Sequence, residues 1–188
     1  EDWLNETLEM KVVGFRRILH VVPDDVSQTN TFRNNVRKIG NIGKTFDLCF
    51  LQRQLPLATE LAKACDNTKL ILNHCGVPDI AGEGLNSWKK DIKILSKLPN
   101  TYCKLSGIMA YCAPGTASYE TVEPYVDTVL NLFGTNRIVW GSDWPVINLG
   151  KDLPEWISVT RKILSKLSSD EAISIANGNA QRIYKVKI

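Results

Sequence analysis

The sequence predicts an α/β fold with a parallel sheet, and three observations support that prediction. Short β-rich runs alternate along the chain with stretches of helical periodicity. The spacing from one run to the next, roughly 25 to 40 residues, suits a strand–helix–strand unit and is too long for a hairpin. Four of the five apolar runs end in polar or small residues. A (β/α) barrel and an open doubly wound sheet both have these features.

Five segments rich in β-branched and other apolar residues are predicted as strands. They cover residues 12–19, 45–50, 69–72, 101–105 and 137–140. Helices are predicted over 33–39, 56–65, 86–98 and 122–133, with two more closing the chain. In the second of these helices, Leu57, Leu61 and Ala64 share one face, and Pro56 suits the first turn.

The composition indicates one globular domain, predicted over residues 1–188. Of these residues, 44% are hydrophobic and 23% are charged, which is enough for one core. The net charge of +3 is spread without a basic stripe, and the clusters at 33–38 and 88–90 are interpreted as solvated helix faces. We therefore expect a small-molecule substrate and no nucleic-acid partner.

The cysteines and the apolar segments predict a cytoplasmic protein without a membrane partner. The five cysteines form no CxxC pair, which is typical of a reducing compartment. No apolar run approaches the length of a membrane span. The first residues, Glu1 and Asp2, are acidic, unlike those of a signal or transit peptide.

Residues 141–145, Gly-Ser-Asp-Trp-Pro, hold the strongest candidate for a catalytic residue. Asp143 follows the apolar strand at 137–140, between a glycine and a proline. Asp is unfavourable in strands, so an Asp at this place indicates a side chain with a particular target. The alternative is that Ser142 and Asp143 only cap the segment that follows.

Other polar residues stand at equivalent places after other strands. His20, His74 and Ser106 with Gly107 each follow an apolar run. The carboxyl ends of parallel strands meet at one edge of a sheet, where functional side chains gather. We therefore expect His74, Ser106 and Asp143 to lie within roughly 10 to 12 Å of one another, a typical pocket dimension.

An ordered set of motifs resembles the amidohydrolase superfamily of the amidohydrolase-2 type. The branch concerned includes sugar-lactone hydrolases and 2-pyrone-4,6-dicarboxylate lactonase. The motifs are GFRR at 14–17, LNHCGVP at 72–78, PNTYCKLSG at 99–107, GSDWP at 141–145 and NAQRIY at 179–184.

The resemblance implies a (β/α)₈ barrel of the TIM-barrel type that is incomplete in this chain. It would make the five predicted strands numbers four to eight, with the first three absent. The family's His-x-His pair is also absent, since His20 and His74 are the only histidines. The chain is therefore expected to be the C-terminal portion of a barrel or a shortened homologue. Its unpaired strand edges would favour a homo-oligomer.

The resemblance also implies hydrolysis of a cyclic ester, either a sugar lactone or a pyrone carboxylate lactone. His74 would bind a divalent metal such as Zn²⁺ or polarise the carbonyl directly, so the reaction would proceed with or without a metal. Asp143 would be the general base and a metal ligand. The chain has Asn73 before the histidine, where the family commonly has Asp.

Arg16, Lys104, Ser106 and Trp144 are predicted to bind substrate. Arg16 or its neighbour Arg17, with Lys104 second, would bind a carboxylate or hydroxyls. Strand alternation sends the two arginines to opposite faces, so at most one lines the interior. The alternative for these cations is an ion pair inside the barrel or a surface position. Ser106 and Trp144 would line the pocket, and the indole would pack on a sugar ring.

Two other functions are consistent with the same motifs. Decarboxylases of the superfamily share the Gly-Ser-Asp-aromatic-Pro segment, although Lys-Leu-Ser-Gly at 104–107 favours the lactonases. A non-catalytic truncated barrel is the third interpretation, and the absent strands are its main support.

Overall fold

The structure, a computed structural model, describes residues 2–186 of the chain. Residues 1, 187 and 188 of the predicted domain lie outside the described residues. Within 2–186 five strands form one parallel sheet in the order β1-β2-β3-β4-β5. They are β1 Gly14–Ile18, β2 Thr45–Cys49, β3 Lys69–Leu72, β4 Thr101–Leu105 and β5 Ile138–Trp140. The predicted α/β fold with a parallel sheet is confirmed.

Eight α-helices accompany the strands within the described residues. They are α1 Asp2–Glu9, α2 Asn30–Asn41, α3 Leu55–Ala64, α4 Leu85–Ser96, α5 Tyr119–Phe133, α6 Leu153–Leu164, α7 Ser169–Ile173 and α8 Asn179–Tyr184. A π-helical turn, Ser174–Gly178, joins the last two. The predicted helices are present, but three α-helices instead of two close the chain, and α1 was not predicted.

Side-chain caps explain why several helices begin where they do. Thr29 accepts a hydrogen bond from the Phe32 backbone N–H, so α2 begins earlier than its apolar periodicity indicates. Ser118 caps α5 in the same way, and Asp152 caps α6. At the other end of α5, Gly134 has a φ of 69°, a left-handed conformation that stops the helix.

The two faces of the sheet contact different partners. The outer face packs against the helices through side chains such as Leu48, Leu72 and Cys103. On the inner face, Ile71 and Val139 pack against Ile183 of α8. Cys103 and Lys104, which are neighbours on β4, therefore lie on opposite faces of the sheet, as the alternation of side chains along a strand requires.

A polar network crosses the inner face and ties the C-terminal helix to it. Lys104 Nζ forms an ion pair with Asp47 Oδ2, and the Tyr184 hydroxyl donates to Asp47 Oδ1 at 2.7 Å. The Lys104 ammonium also lies 5.4 Å from the centroid of the Tyr184 ring. Lys104 thus forms an ion pair on the inner face of the sheet. An interior ion pair was the predicted alternative to substrate binding for this residue.

Two polar side chains bind backbone carbonyls near the amino ends of the strands. Asn100 donates to the carbonyls of Ala62, Cys65 and Thr68 at 3.0, 3.1 and 3.3 Å. Asn179 donates to two more carbonyls beside β5. These bonds satisfy buried acceptors that the sheet and helices leave unpaired.

Both outer strands of the sheet lack a partner strand within residues 2–186. β1 and β5 are the two edges, so the sheet is open. Exposed apolar side chains lie on or beside β1, including Val13, Ile18 and Val21. No helix of the described residues is long and apolar enough to cross a membrane. The cytoplasmic location and the homo-oligomer stay predictions.

Replacing Arg137 with Ala is expected to lower the free energy of unfolding by about 2 to 3 kcal/mol. Its guanidinium donates to carbonyls at the ends of α5 and α4, to one after α4 and to one of β4, including Phe133 O at 3.0 Å and Ser96 O at 2.9 Å. Urea unfolding measures the change, with Arg161→Ala on the exposed face of α6 as control. Equal effects of the two variants would contradict the role of Arg137.

Candidate active site

The carboxyl ends of β3, β4 and β5 bring three predicted residues into direct contact. His74 Nδ1 lies 2.8 Å from Ser106 Oγ and 3.2 Å from Asp143 Oδ2. Both distances are far shorter than the predicted limit, so the convergence of these side chains is confirmed. Parallel pairing causes it, because β4 lies between β3 and β5.

His74 begins a left-handed turn that directs its imidazole toward β4. The φ angles of His74, Cys75, Gly76 and Val77 are 53°, 55°, 74° and 47°. Non-glycine residues in this region cost about 1 to 3 kcal/mol each, so the surrounding packing must hold them. The buried Trp88 indole contributes by donating to the Cys75 carbonyl at 2.8 Å.

Asp143 also has a left-handed backbone, and its carboxylate occupies space beside Gly107. The φ of Asp143 is 54° and that of Gly107 is 62°. A Cβ added at Gly107 would overlap Asp143 Oδ2. Glycine is therefore required after Ser106 for both its φ and its size. Gly107 was predicted at a strand end, but its contact with Asp143 was not predicted.

Burial moves the pKa values of His74 and Asp143 in opposite directions. Burial, with the charges of Lys104, Arg16 and His20, lowers the pKa of His74 from 6.5 to about 4. Burial raises the pKa of Asp143 above 3.8, and the charges of Arg16 and Lys104 oppose that shift. At neutral pH the imidazole is uncharged and lies beside a carboxyl group that binds protons more readily than an exposed one.

The Asp143 carboxylate keeps an oxygen that accepts no hydrogen bond from the described residues. Oδ2 is buried and, despite its 3.2 Å distance from His74 Nδ1, makes no hydrogen bond. The shorter contact of Nδ1, to Ser106 Oγ, has hydrogen-bond geometry. Ser106 is therefore the hydrogen-bond partner of His74 Nδ1.

The geometry separates the two interpretations of residues 141–145. Ser142 Oγ accepts a hydrogen bond from the Trp144 backbone N–H at 3.3 Å, as a turn-forming serine does. No backbone N–H of residues 2–186 donates to the Asp143 carboxylate. Asp143 therefore does not cap the following segment.

The predicted substrate-binding residues differ in their surroundings. Arg16 lies on the inner face beside Asp47 and Lys104, and its guanidinium has no ion pair within the described part of the chain. Lys104, in contrast, is paired with Asp47. Trp144 is 66% exposed, so its indole lies on the surface. Ser106 is buried against His74.

The described residues supply two candidate metal ligands, His74 and Asp143, and no group of three. A catalytic zinc ion typically has three protein ligands. The cysteines do not complete the set, since no three His, Cys, Asp or Glu side chains of residues 2–186 lie close enough together to hold a metal ion. The side chains of residues 2–186 alone therefore do not fit a catalytic zinc site.

Tyr111 is a residue near the site that the sequence analysis did not identify. It is the last residue of a short 3₁₀ turn after β4, Ile108–Tyr111, and is partly buried. Burial is the main cause that raises the pKa of its phenol, and the Asp143 charge adds to it. Loop residues carry no periodic signal, so the sequence offered no basis for selecting Tyr111.

Comparison with known proteins identifies relatives along most of the chain. The sequence model described as amidohydrolase matches residues 1–186. L-Fucono-1,5-lactonase of Burkholderia ambifaria is 31% identical over 145 residues, which cover 75% of this chain and 50% of the lactonase. The chain thus spans half the length of that relative.

Solved structures show the same fold. An amidohydrolase from Burkholderia multivorans with bound zinc has a TM-score of 0.88 and 28% identity, over 93% of this chain and 64% of that protein. The 2,6-dihydroxybenzoate decarboxylase from Rhizobium has a TM-score of 0.53 and 13% identity, over 84% of this chain and 56% of that protein. The second likeness concerns the fold alone.

Acid is expected to destabilise the protein through His74. The unfolded chain binds a proton at this residue near pH 6.5 and the folded chain near pH 4. Stability is therefore lost as the pH falls from 6.5 to 4, by up to about 3 kcal/mol. Urea unfolding at pH 7, 5.5 and 4.5 measures this loss, and His74→Asn should reduce it. An NMR titration of His74 with a midpoint above pH 6 would contradict the assignment.

Gly107→Ala is expected to destabilise the protein more than Gly115→Ala, by about 1 to 3 kcal/mol. Both glycines have positive φ, but an added Cβ at Gly115 meets nothing within 4 Å. The difference in unfolding free energy therefore isolates the contact with Asp143. Equal losses would show that Asp143 does not occupy the space beside Gly107.

Proposed function

The chain belongs to the amidohydrolase family, and we propose that it is part of an enzyme that hydrolyses a cyclic ester. Sugar lactones and pyrone carboxylate lactones are the proposed substrate class. The observation that carries the proposal is the contact between the neutral His74 and the Asp143 carboxyl group, whose Oδ2 accepts no hydrogen bond within 2–186. The lactonase named above supports the choice of reaction.

We also propose that the five strands are strands four to eight of a (β/α)₈ barrel. The open edges of β1 and β5 support this, because a closed barrel leaves no unpaired strand. Three strand–helix units from outside this sequence would close the sheet. Residues 1–188 would then be one partial barrel domain whose active site is completed by the added units.

Asp143 is the proposed general base. It removes a proton from a water molecule as the water oxygen attacks the lactone carbonyl carbon. When the ring C–O bond breaks, the protonated Asp143 returns that proton to the leaving alkoxide, which gives the open hydroxy acid. Burial raises the pKa of Asp143, so the group is a stronger base than an exposed aspartate.

His74 is proposed to polarise the lactone carbonyl. This role requires the proton on Nε2, and the Ser106 hydroxyl favours that tautomer if it donates to Nδ1 across 2.8 Å. The lowered pKa of His74 keeps the ring neutral, so one ring nitrogen accepts while the other donates. Nε2–H would then donate to the oxygen that becomes negative during the attack.

Arg16 is the first candidate for binding the substrate's hydroxyl or carboxylate groups. Its guanidinium has no ion pair among the described residues, whereas Lys104 is held by Asp47. Lys104 would act mainly through its charge on the site. Trp144 would contact a substrate from the exposed side of the pocket, by packing its indole on the ring.

A divalent metal could bind at this site only if residues from outside the chain supplied additional ligands. A zinc ion would supply Lewis-acid activation of the carbonyl or of water. His74 and Asp143 are the two proposed ligands, and at least one more would have to come from the added strands. The steps above use only residues of this chain.

In the protein with its barrel closed, Asp143→Asn is expected to lower kcat for lactone hydrolysis by about 10² to 10⁴. KM should change little, because the amide keeps the shape of the carboxylate and loses its basicity. Acid release in weak buffer with a pH indicator measures turnover on a panel of aldonolactones and pyrone dicarboxylate. Asp127→Asn on the exposed face of α5 is the matched control.

Three results would contradict the proposed function. Undiminished turnover by Asp143→Asn would remove Asp143 from the mechanism. Release of CO₂ from an aromatic acid, without turnover of any lactone, would favour the decarboxylase alternative. A closed barrel that binds neither class would support the non-catalytic interpretation.

A further inference from the structure

A cavity opens beside the candidate active site, at the same carboxyl end of the strands. It has a volume of about 570 Å³, and its walls come from the segments that follow β2, β3 and β4. Those segments contribute Leu51, Val77 with Pro78, and Tyr111, respectively. In barrels the loops at the carboxyl ends of strands bind ligands. The cavity is large enough for a sugar ring.

Two connections join this cavity to His74 and Asp143. The left-handed turn that begins at His74 ends at Val77, which forms part of the cavity wall. Tyr111 lies in the same wall, close enough to Asp143 for the carboxylate charge to act on its phenol. A ligand that extends from the candidate active site past Tyr111 would therefore enter the cavity.

Hydrogen bonds hold the walls of the cavity in place. Gln52 donates to the Gly84 carbonyl at 3.2 Å and to Ser87 Oγ at 2.8 Å, and it accepts from the Asp79 backbone N–H at 2.7 Å. The Ala81 backbone N–H donates to the Tyr111 carbonyl at 3.1 Å and so links the two loops. A cavity formed in advance loses little entropy when it binds a ligand.

The chemistry of the walls favours an uncharged ligand with many hydroxyl groups. Val77, Pro78 and Tyr111 offer an apolar surface for the C–H face of a sugar ring. Asp91 is half-buried in the cavity and makes no hydrogen bond or ion pair with the described residues, so it can accept from hydroxyls. Arg53 is paired with Asp24 at 2.6 Å, which leaves no free cation there for an anionic ligand.

We propose that this cavity binds a second, neutral sugar unit, so that the substrate is a glycosylated aldonolactone rather than a pyrone dicarboxylate. The inference rests on the proposed function for the identity of the lactone group, and on the cavity for the second sugar. Asp91 is the residue that would determine specificity for the second sugar through its hydroxyl contacts.

Binding is tested first, because it does not depend on turnover. Saturation-transfer NMR with the full-length protein measures Kd for maltitol, an uncharged disaccharide alcohol. We expect Asp91→Ala to weaken binding about fivefold or more, as loss of a hydrogen-bond acceptor does. Ser87→Trp, which fills the cavity from α4, should abolish binding. Asp127→Ala is the control and should leave it unchanged.

Turnover is tested second, as kcat/KM for maltobionolactone relative to glucono-1,5-lactone. We expect Asp91→Ala and Ser87→Trp to lower this ratio and Asp127→Ala to leave it unchanged. Maltitol binding without any lactone turnover would support the cavity assignment and overturn the proposed function. Lactone turnover without maltitol binding, or maltitol binding unaffected by Asp91→Ala, would overturn the cavity assignment. Binding of 1,4-diaminobutane in place of maltitol would also overturn it.

Discussion

The contact of one imidazole with two neighbouring strand ends organises the candidate active site. His74 Nδ1 lies next to Ser106, which follows β4, and next to Asp143, which follows β5. Such a contact requires β4 to pair on both sides in parallel, so that the carboxyl ends of three strands meet. The low pKa of His74 and the raised pKa of Asp143 follow from the burial that this arrangement creates.

Local backbone strain accompanies that contact on both of its catalytic candidates. His74 and Asp143 each have a positive φ, and Gly107 provides the space for the carboxylate. Strain of this kind persists only where the surrounding structure holds it, and it concentrates at functional sites. The apolar packing on the outer face and the Asp47–Lys104–Tyr184 network on the inner face supply that support.

Much of the fold and the meeting of His74, Ser106 and Asp143 could be predicted from the sequence, because strand periodicity and polar strand ends are local signals. Pairings between side chains that are distant in the sequence could not be predicted. Lys104 pairs with Asp47, which is 57 residues away in the sequence, because the sheet brings the two strands together. The need for Gly107 depends on a side chain of another loop, and Tyr111 stands in a segment without periodicity. The helix α1 was not predicted because it precedes the first strand and is not part of the alternating strand–helix pattern.

The pH dependence of kcat/KM for an aldonolactone tests the central claim, that Asp143 and not His74 carries the proton of the attacking water. We expect activity that is constant near neutral pH and falls in acid with one apparent pKa, above the ordinary 3.8 of an aspartate and below 6.5. In Asp143→Asn the residual activity should lose that acid limb. A limb centred at or above 6.5 that persists in Asp143→Asn and disappears in a His74 variant would contradict the account.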